Sequence, residues 1–533
     1  MSEAAKGGGF QRRLGLFDAS MLVAGTMIGS GIFIVSADIA RDVGSSGWLL
    51  AVWAIAGVMT VLGALSYAEL AAMMPHAGGQ YVFLREAYSP LFGFLYGWTS
   101  FTVIQTGTIA AVGVAFAKFL GVLIPALGTG PDATLFRYGG FHILVKLPFS
   151  SLTVFERTEF TITAGQLVGV LLILALTLWN TLGINQGRLM QNAFTVVKIG
   201  SLLALIGIGL FVTYNSEVVH QNFANAWGSG DTKAVEKLRS LVSAPATLLV
   251  WMVAGGALVG ALFSADAWGN VTFIAGEVRN PHRNVALSMI LGTALVIALY
   301  LLANVAYLST LPLHADPAKR DAIAQVSKDK SKATGQQIAI EKSATPMERG
   351  IEYARDDRVG TALLETAWPR FGTGLMAIAI MVSTFGCLNG LILMGARLYY
   401  AMSRDGLYFR GAGILNRNKV PGWGLWAQAL WSSLLVFSGT YSNLLDYVIF
   451  AAVLFYALTV AGLFVLRFRR PNVERPYRTL GYPLLPGIYL ALCIAVMLDL
   501  LIVKPIFTWP GLLLVLAGIP VYFVWRLFGR KTL

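Results

Sequence analysis

The residues Gly25-Thr26-Met27-Ile28-Gly29-Ser30-Gly31-Ile32-Phe33 interrupt the first long apolar stretch of the chain. In hydrocarbon a backbone must satisfy itself, because no water is there to bond to it. Three glycines with a threonine and a serine let a helix unwind at that depth and expose peptide groups. Unwinding at Gly29–Gly31 leaves N–H groups at the start of a second half-helix. Those groups, with the half-helix dipole, attract a carboxylate. The carbonyl ends of the first half-helices attract a cation such as an ammonium group. Together they suit a small zwitterion. Close helix packing is the competing reading of Gly-x-Gly. A dinucleotide fingerprint is excluded, because no strand precedes the motif and the third glycine is missing.

A second irregularity, Leu262-Phe263-Ser264-Ala265-Asp266-Ala267-Trp268-Gly269-Asn270, sets polar residues inside another apolar run. Candidate binding residues are therefore Met27, Ile28, Gly29, Ser30 and Gly31 at the first break. At the second they are Phe263, Ser264, Ala265 and Asp266, with Trp268 as a candidate gate. Lys198 and Asp266 are ionisable residues deep in apolar segments, where charge is costly and usually functional. Lys198 can tie off exposed carbonyls of the first break, stand in for a bound sodium ion, or carry a proton. Asp266 can bind the substrate ammonium, pair with Lys198, or stay protonated. Glu69, near the end of the second apolar run, is either half of a gating ion pair or a solvated helix end.

These residues need spans to hold them. Of 533 residues, 56% are hydrophobic and 13% charged, against roughly 25% charged in soluble domains. The chain is an integral membrane protein, and no cleavable signal peptide is expected at its start. Runs of at least roughly 20 apolar residues predict about twelve spans, near 18–40, 47–73, 91–125, 162–182, 189–213, 245–276, 285–311, 360–402, 422–439, 443–467, 484–503 and 509–527. The two interrupted spans stand five apart, which predicts a five-plus-five inverted repeat followed by two extra helices. We divide the chain into a cytoplasmic tail (1–16), a ten-helix core (17–468) and helices 11 and 12 (469–533). The core includes a long extracytoplasmic loop at 312–359, containing Asp329-Lys330-Ser331-Lys332, whose composition suits either short helices capping the outer mouth or partial disorder.

The net charge of +13 reflects arginines in short loops on one side, among them Arg85, Arg188, Arg279, Arg283, Arg404 and Arg467, and Arg530 and Lys531 at the end. The opposite short loops carry only Arg41 and Lys504. Both termini are therefore expected in the cytoplasm, and a nucleic-acid partner is not. Cys387 and Cys493 lie inside apolar runs, and no metal or cofactor cluster is seen.

The helix 1 motif resembles the signature of the amino acid–polyamine–organocation superfamily, and in particular its L-type amino acid transporter branch. Ala64-Leu65-Ser66-Tyr67-Ala68-Glu69-Leu70, Pro75-His76-Ala77-Gly78-Gly79-Gln80-Tyr81, Glu277-Val278-Arg279-Asn280-Pro281-His282-Arg283-Asn284 and Ser403-Arg404-Asp405-Gly406 are similar to further stretches of that branch. The resemblance runs over nearly the whole chain. It implies an all-α, leucine-transporter-like fold and sodium-independent amino acid transport. It implies that Gly29, Ser30 and Gly31 hold the carboxylate, that Phe263 gates, and that Lys198 replaces a sodium site. Two departures stand out. Many members have a small residue at the position of Asp266. Animal members bind a heavy-chain partner through an outer-loop cysteine absent here, so no disulfide-linked subunit is expected.

The sequence thus predicts an amino acid transporter of the cytoplasmic membrane working by alternating access, by antiport or with protons. The alternatives are an amine or polyamine transporter of the same fold, or a nutrient sensor that binds without transporting. A channel fits an occluded central site poorly. An enzyme lacks paired carboxylates, a nucleophile with its base, and a metal cluster.

Overall fold

Pro369, Gly183 and the glycines of the first break punctuate a chain that is otherwise long apolar helix. A computed structural model describes residues 10–146, 153–228, 232–242, 244–328, 333–437 and 441–529. The run Asp329–Lys332, Arg530 and Lys531 lie outside the described residues. The spanning helices are α1a (Leu16–Met27) and α1b (Gly31–Val43), α2 (Ser46–Met73), α3 (Pro90–Leu123), α4 (Ala164–Thr181) and α5 (Ile184–Val212). The second half repeats the order with α6a (Ala246–Ser264) and α6b (Trp268–Glu277), α7 (Pro281–Thr310), α8 (Gly372–Arg404), α9 (Gly422–Val436) and α10 (Tyr441–Arg469). Helices α11 (Leu484–Val503) and α12 (Pro505–Gly529) follow.

Ten of these are long and apolar enough to cross a bilayer alone, and the bent pair α1a–α1b makes an eleventh. Helix α9 spans only 15 residues and completes the expected set of about twelve. Four of the five helices of the first half lie against their counterparts five positions on: α1 packs on α6, α2 on α7, α3 on α8 and α4 on α9. That is the contact pattern of two halves repeated about an axis running between them. With an even number of crossings, the described residues at both ends of the chain fall on one face, here the terminal face.

The far face carries the long connections. The 126–161 stretch contains an antiparallel hairpin, β1 (Thr134–Lys146) with β2 (Thr153–Thr163), which the sequence reading left as loop. The 312–359 connection holds short helices at Arg320–Lys328, Gly335–Ser343 and Pro346–Arg349. The predicted eighth span is shorter than expected. Residues Val359–Ala367 form a separate helix, because the residue before Pro369 is disfavoured in helical geometry.

Candidate functional site

The first span breaks where its glycines stand. Helix α1a ends at Met27, Ile28 turns extended (φ −75°, ψ 94°), and α1b restarts at Gly31 with a 40° change of direction. The amides of Gly29, Gly31 and Ile32 stand at the N-terminal end of α1b, where a helix has no acceptor of its own for its first N–H groups.

The sixth span breaks at Ala265–Ala267. Ala267 takes the left-handed conformation (φ 69°) before the 3-10 turns of α6b. Such a backbone costs a residue bearing a Cβ about 1–2 kcal/mol, so the packing on either side must hold it. The two breaks touch. A Cβ on Gly31 would lie 2.1 Å from Ser264 Oγ and 3.1 Å from Ser264 Cα. A Cβ on Gly29 would meet only Cys387 Sγ, at 3.5 Å. Gly31 is therefore required for packing, and only Gly29 has room for a side chain.

Lys198 of α5 is 1% exposed. Its three ammonium protons go to three carbonyls: Gly25 at 2.6 Å, Ile28 at 3.0 Å and Ser383 of α8 at 3.0 Å. It makes no ion pair with Asp266 among the described residues. Its approach depends on α8, because a Cβ on Gly386 would sit 3.2 Å from Lys198 Nζ. The hydroxyl of Ser383 also donates to the Ile28 and Gly29 carbonyls.

The expectation that α1a carbonyls stay open for an ammonium needs correction. The thiol of Cys387 donates to the Thr26 carbonyl at 3.0 Å, and the Tyr300 hydroxyl to Met27 at 2.9 Å. With Lys198 on Gly25 and Ile28, the end of α1a is already capped by side chains of α5, α7 and α8.

Asp266 is buried and accepts a hydrogen bond from Tyr456 of α10 at 2.5 Å. It borders a cavity of about 10 Å³, lined also by Tyr96, Gln105 and Asn270. That is room for about one water. Gln105 follows a π-helical turn at Ser100–Ile104, a distortion that recurs at functional sites. Its amide donates to the Leu391 carbonyl at 2.8 Å and accepts from Asn270 at 3.4 Å. Tyr456 and Gln105 escaped the sequence reading. Trp268 packs edge-on against Tyr67 with ring centres 4.7 Å apart and tilts over Tyr456 at 5.2 Å. Phe263 is buried at the end of α6a.

Glu69 is not a solvated helix end. It is 0% exposed and accepts two bonds from Arg467 of α10, at 2.9 and 2.6 Å. The Thr479 amide at 2.7 Å and Arg475 at 3.2 Å complete its shell. It ties α2 to the end of α10 and to the connection before α11.

Ion pairs bridge elements of the bundle on both sides of the breaks. On the terminal face, buried Arg397 of α8 pairs with Glu277 of α6b at 2.8 Å. The segment before α1a lies across this pair. The amides of Arg13 and Leu14 donate to the Glu277 carbonyl, and the Phe10 ring faces the Arg397 guanidinium at 5.9 Å. On the far face Arg41 of α1b bonds Asp357 at 2.7 Å, the Glu352 carbonyl at 2.6 Å, and Asp38.

Two facing helix breaks with ion pairs on either side of them, in a bundle of paired halves, are the layout of a secondary transporter. The chain belongs to the amino acid permease family, whose model matches residues 14–524. It is a multi-pass membrane protein that transports amino acids, and not an enzyme. It is 27% identical to the human b(0,+)-type amino acid transporter 1, over 98% of this chain and 90% of that protein. It is 24% identical to the human cystine/glutamate transporter, over 98% and 86%. It is 26% identical to the mouse large neutral amino acids transporter small subunit 2, over 98% and 83%.

Proposed function

We propose that this chain carries amino acids across the cytoplasmic membrane by alternating access, without sodium. The carboxylate binds the α1b amides at Gly29–Gly31, flanked by Met27, Ile28 and Ser30. The observation that carries this reading is the contact between the two breaks, Gly31 against Ser264. It sets a helix N-terminus beside interrupted backbone in the middle of the bundle. Because the α1a carbonyls are capped, and the Phe263 and Ser264 carbonyls are likewise taken by the Asp266 amide and the Tyr300 hydroxyl, the substrate ammonium turns to the Ala265 carbonyl and the carboxylate of Asp266. Sodium independence rests on Lys198, whose ammonium occupies the carbonyls that an ion would otherwise need.

Opening at either face then means parting the ion pairs already described. Trp268 and Phe263 close over the site from α6. Glu69 with Arg467 holds α2 and α10 together at one end and acts as part of the gate.

Asp266 favours a second reading. A carboxylate bordering a cavity otherwise lined by neutral groups suits a cationic substrate, so an amine or polyamine is the alternative cargo. A sensor that binds without transporting is the reading that flux itself tests.

The arginine-rich loops on the terminal face support a cytoplasmic location for both termini, with 1–16 as tail, 17–468 as transport core and 469–533 as an addition to it. Two relatives, the mouse and rat large neutral amino acids transporter small subunit 2, are named as subunits. For this chain we propose no disulfide-linked partner. Its two cysteines are both buried within spans.

The test is purified protein in liposomes, with labelled amino acids and amines, with and without internal substrate and a pH gradient. Saturable uptake stimulated by internal amino acid, and indifferent to sodium, supports the reading. Binding without counterflow would establish the sensor instead.

A further inference from the structure

Asp499 of α11 lies outside the site described above, and both its carboxylate oxygens are buried without a hydrogen-bond partner among the described residues. It is seated against α6a. A Cβ on Gly255 would lie 2.4 Å from Asp499 Oδ2 and 2.9 Å from its Cγ, and a Cβ on Gly256 would lie 2.9 Å from Val503. Two successive glycines of α6a thus receive two residues one turn apart on α11. The groove is shaped for a carboxyl, yet it offers no counter-charge.

Among the described residues the surroundings carry no hydrogen-bonded or ion-paired partner to neutralise it. Helix α6a has no ionisable side chain at all. Of the other helices packed on α11, α2 brings Tyr67 and Glu69, and Glu69 is committed to Arg467 and Arg475. The described side chains of helix α10 bring Tyr456, Arg467 and Arg469, with Tyr456 bonded to Asp266. Helix α12 brings Tyr522 and Arg526. Tyr489 and Cys493 share α11, and Lys504 follows its last residue. None of these pairs with Asp499 among the described residues. An isolated carboxylate in such a place costs several kcal/mol to keep ionised.

We infer that Asp499 is a proton-binding site, occupied while α6a packs on α11 and emptied when α6a moves away and water reaches the carboxyl. The reaction is one proton added to one carboxylate oxygen, with no other bond changed. This rests on the alternating-access reading, in which α6a is a moving part. Protons then bias the cycle through a helix behind the substrate site.

The test compares the reconstituted wild type with Asp499→Asn and Asp499→Leu. The infrared spectrum of the wild type at neutral pH is expected to show a protonated buried carboxyl band that is lost in Asp499→Asn. The Tm of the wild type is expected to fall further than that of either variant as the pH is raised. Counterflow in Asp499→Asn is expected to lose the pH dependence seen in the wild type while keeping its rate near the acid limit. Identical carboxyl bands together with identical pH profiles would overturn the inference. So would a lower Tm in both variants at every pH, because it would reveal a partner for the ionised form. Absence of counterflow in the wild type would refute the transport reading, and the infrared and Tm comparisons would still decide the proton site.

Discussion

Replacing Lys198 with alanine removes the ammonium that holds the first break open. Of its three carbonyl partners, Ile28 keeps a second bond from the Ser383 hydroxyl at 3.1 Å. The Gly25 and Ser383 carbonyls have Lys198 as their side-chain donor. Ser383 lies inside α8, so its carbonyl keeps its helical bond. The Gly25 carbonyl near the end of α1a is the one orphaned, at a cost of about 1–3 kcal/mol. Loss of the buried charge itself relieves a desolvation penalty, which favours the fold as a whole. The damage therefore falls on the geometry of the break rather than on insertion or folding. At about 1.4 kcal/mol per factor of ten, the lower bound is roughly a fivefold loss of exchange. The assay is counterflow in liposomes at matched protein density, with and without sodium. Unchanged kinetics in Lys198→Ala would refute the role given to this residue. Partial rescue by sodium would identify the carbonyl cluster as a cation site that the lysine fills, and failure of any ion to rescue would make it a structural tie.

Other outcomes follow from the same geometry. Gly31→Ala is expected to abolish exchange, since its Cβ has no room beside Ser264, whereas Gly29→Ala is expected to leave yield and Tm unchanged and raise KM; equal tolerance at both positions would contradict the packing described. Tyr456→Phe removes a hydrogen bond to a carboxylate, worth about 1.5–3 kcal/mol, and is expected to shift KM about tenfold without loss of protein; an unaltered KM would place Asp266 outside the substrate site. Glu69→Ala strands Arg475 and the Thr479 amide, and breaking a buried pair costs about 3–5 kcal/mol, so Tm in detergent is expected to fall; an unchanged Tm would mean the pair is dispensable.

The breaks were legible because they violate a rule. Glycine, serine and aspartate inside apolar runs have no cheap place in lipid, and so Gly29–Gly31 and Ser264–Asp266 stood out. Lys198 was legible for the same reason. What surrounds them was not. Tyr300, Cys387 and Ser383 cap the α1a carbonyls from helices hundreds of residues away, and nothing in their local sequence marks them as different from ordinary span residues. Tyr456 is one of several aromatics on α10, and periodicity does not say which faces Asp266. Glu69 was half misread, because a carboxylate near a helix end is usually solvated and its partner Arg467 lies 398 positions on. The β1–β2 hairpin was missed within a polar connection whose strand pattern is broken by register shifts. The α11 carboxyl at Asp499 sat in a run read only as a span.

The central claim is that two facing breaks hold an amino acid by bare peptide groups. The most direct measurement is an experimental structure with a transported amino acid bound. The account predicts the carboxylate within about 3 Å of the Gly29–Gly31 amides, with α1 and α6 both interrupted and the cavity beside Asp266 enlarged to admit the substrate. A substrate bound elsewhere in the bundle, or continuous first and sixth helices, would contradict it.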